Sequence, residues 1–448
     1  MSTFACEPAA LPRAVLLFAA VLAGFVATLG VFTPVPSEDG VSYLSMAAAF
    51  AAGRWHEGFG PVFPPGFPLL LAPFVAVGAP PWGAAITGGA VCLGLTLLPL
   101  WRLAEHHHAG AGWPAVVLFA TAPLLPRVAA EVYSEPPFLL LMALGTWWGY
   151  RGSWWRCGAA AGAAFWIRPE GLLLALAFVL ADRRAVRALL PAGLGVAALA
   201  LSRGLAGHGF DALPMLTFHE QRDDLVGRGD VLRNLLAVPA AWFEAFGGLG
   251  VVVWLALRSA PRGERAGVAA AARAPLWWQI GLQVAVVCTF VVRRRFLLSC
   301  AVPVAALAGR GLATLPRRTR TVLVATIAVT GLAFTLRSGI DADRRVEREL
   351  GEYLGSQLAP GERIASDLPR VVWFAGQPPP PPRHFDADRL LAFARAPGVR
   401  CVVLSTGSRR DSSREAAAAL AAECESFVLP PPLADACAAR GIRVLWRR

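Results

Sequence analysis

Apolar runs of about 20 residues recur along the first three quarters of the chain, and charged residues fall in the breaks between them. Residues 15–32, 81–101, 113–130, 137–150, 188–206, 240–257, 276–292, 296–314 and 321–339 each read as a membrane-crossing helix. Residues 157–181 are apolar but interrupted by Arg168-Pro169-Glu170-Gly171. A single span there would put one of two arginine clusters (Arg151/Arg156 and Arg183/Arg184/Arg187) outside. Two short helices meeting at the proline and glycine keep both inside. The pattern therefore predicts a polytopic α-helical membrane protein of about eleven spans. Arg13 ahead of the first run places the N-terminus in the cytoplasm, so the far end lies outside. The first run is too long for a signal-peptide core and lacks a small-residue cleavage site, so it reads as an uncleaved span.

Two polar stretches are expected outside. The first, residues 34–79, carries Glu38-Asp39 and a short apolar piece, residues 63–77, that opens on Pro64-Pro65 and reads as an interfacial or re-entrant helix. The second, residues 207–239, holds His208, Asp211, His219, Glu220, Arg222, Asp223 and Asp224. The cytoplasmic loops carry His106-His107-His108 and, further on, Arg258, Arg262, Arg265 and Arg273. The three histidines read as a solvated loop rather than a metal site, because consecutive helical residues point in different directions.

The pattern changes at residues 340–448. Residues 346–358, 386–396 and 414–424 have helical character. Arg363-Ile364-Ala365-Ser366, Val371-Val372-Trp373-Phe374, Cys401-Val402-Val403-Leu404 and Ile442-Arg443-Val444-Leu445-Trp446 read as short strands. The alternation predicts a small C-terminal α/β domain with a partly parallel sheet, on the extracytoplasmic side. It contains no phosphate-loop or dinucleotide fingerprint. The membrane domain is thus 1–339 and the soluble domain 340–448.

Composition agrees with this division. The chain is 56% hydrophobic and 16% charged, with mean hydropathy +0.53. Its net charge is +12 and it has no lysine. The arginines are scattered between apolar runs rather than gathered on one soluble face, which speaks against nucleic acid as a partner. Of the eight cysteines, Cys92, Cys157, Cys288 and Cys300 sit in or beside apolar runs as packing residues. No C-x-x-C pair occurs. A tail outside the cytoplasm leaves a Cys424–Cys437 disulfide open, with Cys401 over.

The candidate chemistry lies at the external helix ends. Glu38 and Asp39 follow the first span; Glu131 and Glu135 the third; Arg168 and Glu170 mark the break in the hairpin. Arg293, Arg294 and Arg295 sit at a further external end, against the positive-inside preference. A phosphate would compensate them, since guanidinium forks match its oxygens; lipid head groups would too. Asp39 suits a general base or the partner of a developing oxocarbenium ion, and equally a helix N-cap. Glu135 before Pro136-Pro137 also suits a helix start, and Arg168 with Glu170 an internal ion pair. His219-Glu220 is half a metal site and leaves a divalent metal open.

In order along the chain, Glu38-Asp39 with Tyr43-Leu44, Ser134-Glu135-Pro136 with Phe138-Leu139, Gly158 to Gly162 leading to Arg168-Pro169-Glu170-Gly171, and Arg295-Phe296-Leu297-Leu298 with Pro303 and Gly309-Arg310-Gly311-Leu312 resemble the GT-C superfamily of membrane glycosyltransferases. The likeness is to bacterial family-39-like members, related to protein O-mannosyltransferases and aminoarabinose transferases. It implies transfer of a sugar from a polyprenyl-phosphate donor to a lipid, glycan or protein acceptor at the external face of a bacterial inner membrane. It implies Asp39 at the reaction centre, with Glu38 and Glu135 as further acids. Arg168, Arg294 and Arg295 would hold the donor phosphate. The competing reading is a transporter or flippase of a lipid-linked or anionic substrate, which would also need broken helices and buried arginines. The absence of an internal repeat weighs against it.

Overall fold

The computed structural model describes residues 11–60, 62–213, 230–247, 265–289, 292–338, 344–378, 387–407 and 411–447, the side chains of 265–272 and 338 excepted. His219, Glu220, Arg222, Asp223, Asp224, Arg258 and Arg262 lie outside these residues. The chain divides into two compact units, one of Met1–Phe32 and Met46–Gly339, the other of Thr33–Ser45 and Ile340–Arg448.

The first unit is helical. Its helices are α1 (Arg13–Phe32), the C-terminal end of α2 (Glu38–Ala51), α3 (Trp55–Phe59), α4 (Gly66–Ala76), α5 (Pro81–His107), α6 (Gly112–Ala120), α7 (Leu125–Ala130), α8 (Glu135–Tyr150), α9 (Trp154–Ile167), α10 (Leu172–Ala181), α11 (Leu189–Leu205), α12 (Val231–Phe246), α13 (Arg265–Thr289), α14 (Ala301–Ala313) and α15 (Arg317–Ser338). Among the described residues, five helical stretches are long and apolar enough to cross a membrane: Arg13–Phe32, Pro81–His107, Arg183–Leu205, Phe296–Ala313 and Arg317–Arg337. The chain is a multi-pass membrane protein. On α1, Val15, Ala19, Leu22, Val26 and Leu29 form a buried stripe at helical spacing, while Leu17, Val21 and Val31 face outward. That outward face would be a liability in water and is the correct surface for lipid.

Small residues let these helices approach closely, as expected where lipid removes the hydrophobic drive between them. A Cβ on Gly94 of α5 would lie 2.7 Å from the Ala19 carbonyl of α1, and one on Gly145 of α8 2.4 Å from Leu174 of α10. At the hairpin, Arg168 is extended ahead of Pro169, a short 3-10 turn spans Pro169–Gly171, and α10 packs back on α9. A Cβ on Gly171 would stand 2.5 Å from the Phe165 backbone nitrogen, so the reversal requires glycine there.

Several elements differ from the sequence reading. The apolar run 113–130 is not one helix: α6 stops at Ala120 and α7 starts at Leu125, with Pro123 and Pro126 in and just after the gap. The external loop 207–239 ends in helix, because α12 begins at Val231. Arg265 and Arg273 are helical rather than looped, since the alanine-rich stretch between them carries α13 back to Arg265. His106 and His107 form the last turn of α5 instead of a solvated loop, and His107 packs edge-on against Tyr150 at 4.7 Å between centroids. α4 has 11 residues, about 16 Å of helix, too short to cross a bilayer.

The second unit is a four-stranded sheet, β1 (Arg363–Ser366), β2 (Val399–Ser405), β3 (Cys424–Ser426) and β4 (Ile442–Arg447), in the order β1-β2-β4-β3. β1 and β2 are parallel and the other pairs antiparallel. Alternation along β2 sends Cys401 and Val403 to one core and Val402 and Leu404 to the other. Helices α16 (Arg345–Gln357), α17 (Pro369–Phe374), α18 (Ala387–Ala394), α19 (Asp411–Leu420) and α20 (Pro431–Ala439) complete it. Val371–Phe374 is thus helix, not strand: Pro369 opens the turn, and Val371 and Val372 bury against α16. The fourth strand is Cys424–Ser426, where the sequence suggested a helix end. Cys424 and Cys437 are free thiols in opposite cores, so the open disulfide does not form.

Candidate active site

In the first unit Glu135, Arg168, Glu170 and Arg295 come together. Glu135 opens α8, where Pro136 and Pro137 lack the N–H groups a helix start leaves unused, and its carboxylate sits in the first turn. It is 2% exposed. Arg168, held extended between α9 and the 3-10 turn, donates from Nη1 to Glu135 Oε1 at 2.8 Å and from Nη2 to Glu170 Oε1 at 3.2 Å. Arg295, just ahead of the turn Phe296–Cys300 that leads into α14, lies with Nε 3.4 Å from the same Oε1. Glu135 Oε2 is buried without a hydrogen-bond partner among the described residues.

Aromatic rings set the arginines. The Arg295 guanidinium stands 4.4 Å over Tyr133 and 5.3 Å from Phe296. That of Arg168 lies 5.9 Å over Phe138 and 5.8 Å over Phe296. Ring faces attract these cations and keep them from bulk water.

The turn that delivers Tyr133 and Glu135 is strained. Val132 has φ +62°, and Tyr133 N–H bonds back to the Val128 carbonyl at 2.9 Å. This is a helix-ending motif whose left-handed position glycine usually fills. A buried β-branched residue held there marks a segment over-determined by its surroundings, a pattern common at functional sites. One turn earlier, Arg127 Nη2 bonds Glu131 Oε1 at 3.0 Å.

The other two expected acids belong to the second unit. Ser37, not Asp39, caps α2: its Oγ accepts the Gly40 N–H at 2.8 Å. Glu38 and Asp39 fill the first helical turn, where the helix dipole favours negative charge. Glu38 is exposed and Asp39 half-buried. Beside them, Arg370 is buried; it donates to Glu347, to the Pro36 carbonyl at 2.8 Å, and lies 3.8 Å from Glu38.

Arg294 stands outside the buried cluster, exposed and 3.7 Å from exposed Glu244. Such a surface pair contributes little. His208 stacks on His56 at 4.3 Å between ring centroids, and the two rings bond backbone carbonyls. Among the described residues no group of three metal-ligating side chains occurs. Sequence reasoning passed over Tyr133, Val132, Glu347 and Arg370. The first two lay two and three residues from Glu135; the last two carried no local signal.

The chain thus comprises a helical membrane unit with broken helices and buried ion pairs, and a small mixed-sheet unit. The particular structures it is similar to are those of ArnT from Cupriavidus metallidurans, bound to undecaprenyl phosphate and in the apo state. Both superpose with TM-score 0.64 at 13% identity; the bound form covers 96% of this chain and 97% of the other. The arabinofuranosyltransferase AftD from Mycobacteria superposes with TM-score 0.51 at 15% identity over 98% of this chain and 40% of its own. At such identities these likenesses establish the fold. No protein-family model matches the sequence, and no curated protein sequence does.

Proposed function

We propose that the chain is a glycosyltransferase of the inner membrane of a bacterium that moves a hexose or pentose from a polyprenyl-phosphate donor to a lipid, glycan or protein acceptor on the external face. The observation that carries this reading is the buried Glu135 with Arg168 and Arg295 on one oxygen and a second oxygen that has no hydrogen-bond partner among the described residues. Two guanidiniums converging in a dry site suit the singly charged phosphodiester of such a donor and, as the sugar leaves, the second negative charge that develops on the phosphate. The structure of ArnT with undecaprenyl phosphate supports such a donor for this fold.

In this mechanism the donor phosphate takes Arg168 and Arg295 from Glu135, with exposed Arg294 as the peripheral member of the set. As the sugar–phosphate bond breaks, negative charge grows on the leaving phosphate, and the fixed guanidiniums stabilise it without reorganising. Asp39 accepts the proton of the acceptor hydroxyl as that oxygen attacks the anomeric carbon, and Glu38 assists from the same turn. The lipid tail stays in the bilayer throughout. The N-terminus is cytoplasmic, and residues 340–448 lie outside.

The test uses purified protein in nanodiscs with labelled polyprenyl-phosphate sugars (mannose, glucose, arabinose), following release of polyprenyl phosphate. Wild type turns over at least one donor, and Asp39→Asn binds it without turnover. No turnover with any donor, coupled to lipid movement across vesicles, would replace this reading by that of a flippase.

A further inference from the structure

Arg370 has two kinds of partner that do different work. It is 3% exposed, at the start of α17. A guanidinium buried so far needs a counter-ion, and Glu347 of α16 supplies it: Nη1 lies 3.1 Å from Oε1 and 2.9 Å from Oε2. Nε is directed elsewhere, to the Pro36 carbonyl at 2.8 Å, 334 positions away in the chain.

Pro36 is the residue before the helix cap. Ser37 Oγ accepts from Gly40 N–H at 2.8 Å, and the Ser37 carbonyl accepts from Val41 N–H at 3.0 Å. The planar peptide bond joins that carbonyl rigidly to the Ser37 nitrogen, so little slack separates the held carbonyl from the first turn. Glu38 and Asp39 are the next residues in line, with Glu38 Oε1 also 3.8 Å from Nη1. A Leu–Leu pair in place of Arg370 and Glu347 would fill the same core. It would not hold Pro36.

We infer that Arg370 is a positioning residue: through the Pro36 carbonyl it fixes where the first turn of α2 presents Asp39 to the reacting groups. The inference rests on the proposed role of Asp39. A misplacement of about 1 Å in a reacting group can cost on the order of a hundredfold in rate, so a role of this kind appears in kcat rather than in donor binding.

The experiment uses full-length protein in nanodiscs, with the polyprenyl-phosphate sugar that wild type turns over. It compares Arg370→Leu/Glu347→Leu, Arg370→Lys and Asp39→Asn. Turnover is expressed per bound donor, so that a smaller folded fraction does not register, and melting is followed in parallel. The double variant is expected to melt near wild type, to keep KM for the donor, and to lose about 10- to 100-fold in kcat. Arg370→Lys, which keeps the charge but not the Nε geometry, falls between. Wild-type kcat in the folded double variant overturns the inference; if the double variant does not fold, wild-type kcat in Arg370→Lys does so. Inactive Asp39→Asn beside fully active Arg370 variants removes the positioning role alone. Full turnover by Asp39→Asn removes both readings.

Discussion

Arg168 Nη1 and Glu135 Oε1 are 2.8 Å apart although 33 residues separate them in the chain, and both side chains are buried. One comes from the break between α9 and α10, the other from the start of α8. The pair thus fixes a helix break against a helix start, and breaking it should be far costlier than losing a surface contact.

Arg168→Ala leaves Glu135 buried with only the longer contact to Arg295, and is expected to destabilise the protein by about 3–5 kcal/mol. The double variant Arg168→Ala/Glu135→Ala should recover much of that loss. Denaturant or thermal unfolding in detergent reads the cycle; additive effects would contradict a coupled pair.

Glu135→Gln keeps the shape but removes the charge that occupies Arg168 and Arg295. The donor phosphate then meets a weaker competitor, and its Kd should fall about tenfold, on the order of 1.4 kcal/mol. Equilibrium binding of polyprenyl phosphate in nanodiscs measures this. Weaker binding would mean that Glu135 contacts the donor favourably.

At Val132 the backbone is left-handed, so the usual ranking of alanine over glycine should invert. Both substitutions remove the buried side chain, but only glycine relieves the strain. Val132→Gly is expected to exceed Val132→Ala in stability by about 1–2 kcal/mol. Paired melting curves check it.

The thiols of the second unit offer a pH test. Burial pushes the Cys401 thiol up to about 12 and the Cys437 thiol up to about 11, from an ordinary 9.0. The unfolded chain therefore ionises these groups first. Their contribution to stability is complete below pH 9 and is lost as pH rises toward 12. Native protein at pH 8 should leave Cys401 and Cys437 unlabelled by a thiol reagent until denaturant is added, and labelling should be the same with and without reductant. Rapid native labelling would refute the buried placement.

Some of this was legible in the sequence, for physical reasons that differ by residue. Pro169 and Gly171 announced the hairpin because backbone chemistry acts locally. The split at Thr121–Leu124 was passed over although Pro123 and Pro126 mark it, because hydropathy alone stays continuous across the break that prolines impose. Val371–Phe374 was misread for the same reason: a short apolar run carries no period that separates strand from helix. Asp39 looked like a cap because the true cap, Ser37, precedes it by two residues and is equally suited. Arg168 and Glu135 were each visible as candidates. That they face one another depends on how α8, α9 and α14 pack, which side-chain spacing does not encode. Arg370 gave no sign at all, since its partner Pro36 is at the other end of the chain.

The carboxylate seated between two arginines also sets an entry condition. Membranes present phosphate head groups in great excess over any one lipid-linked sugar. Each of them would have to evict Glu135 before reaching Arg168, and all face the same opponent. Preference then cannot come from the phosphate. It must come from whatever else the ligand brings, its sugar and its prenyl chain; the shared cost of displacing Glu135 weakens every phosphate alike, so a head group without those extra contacts holds the site only feebly.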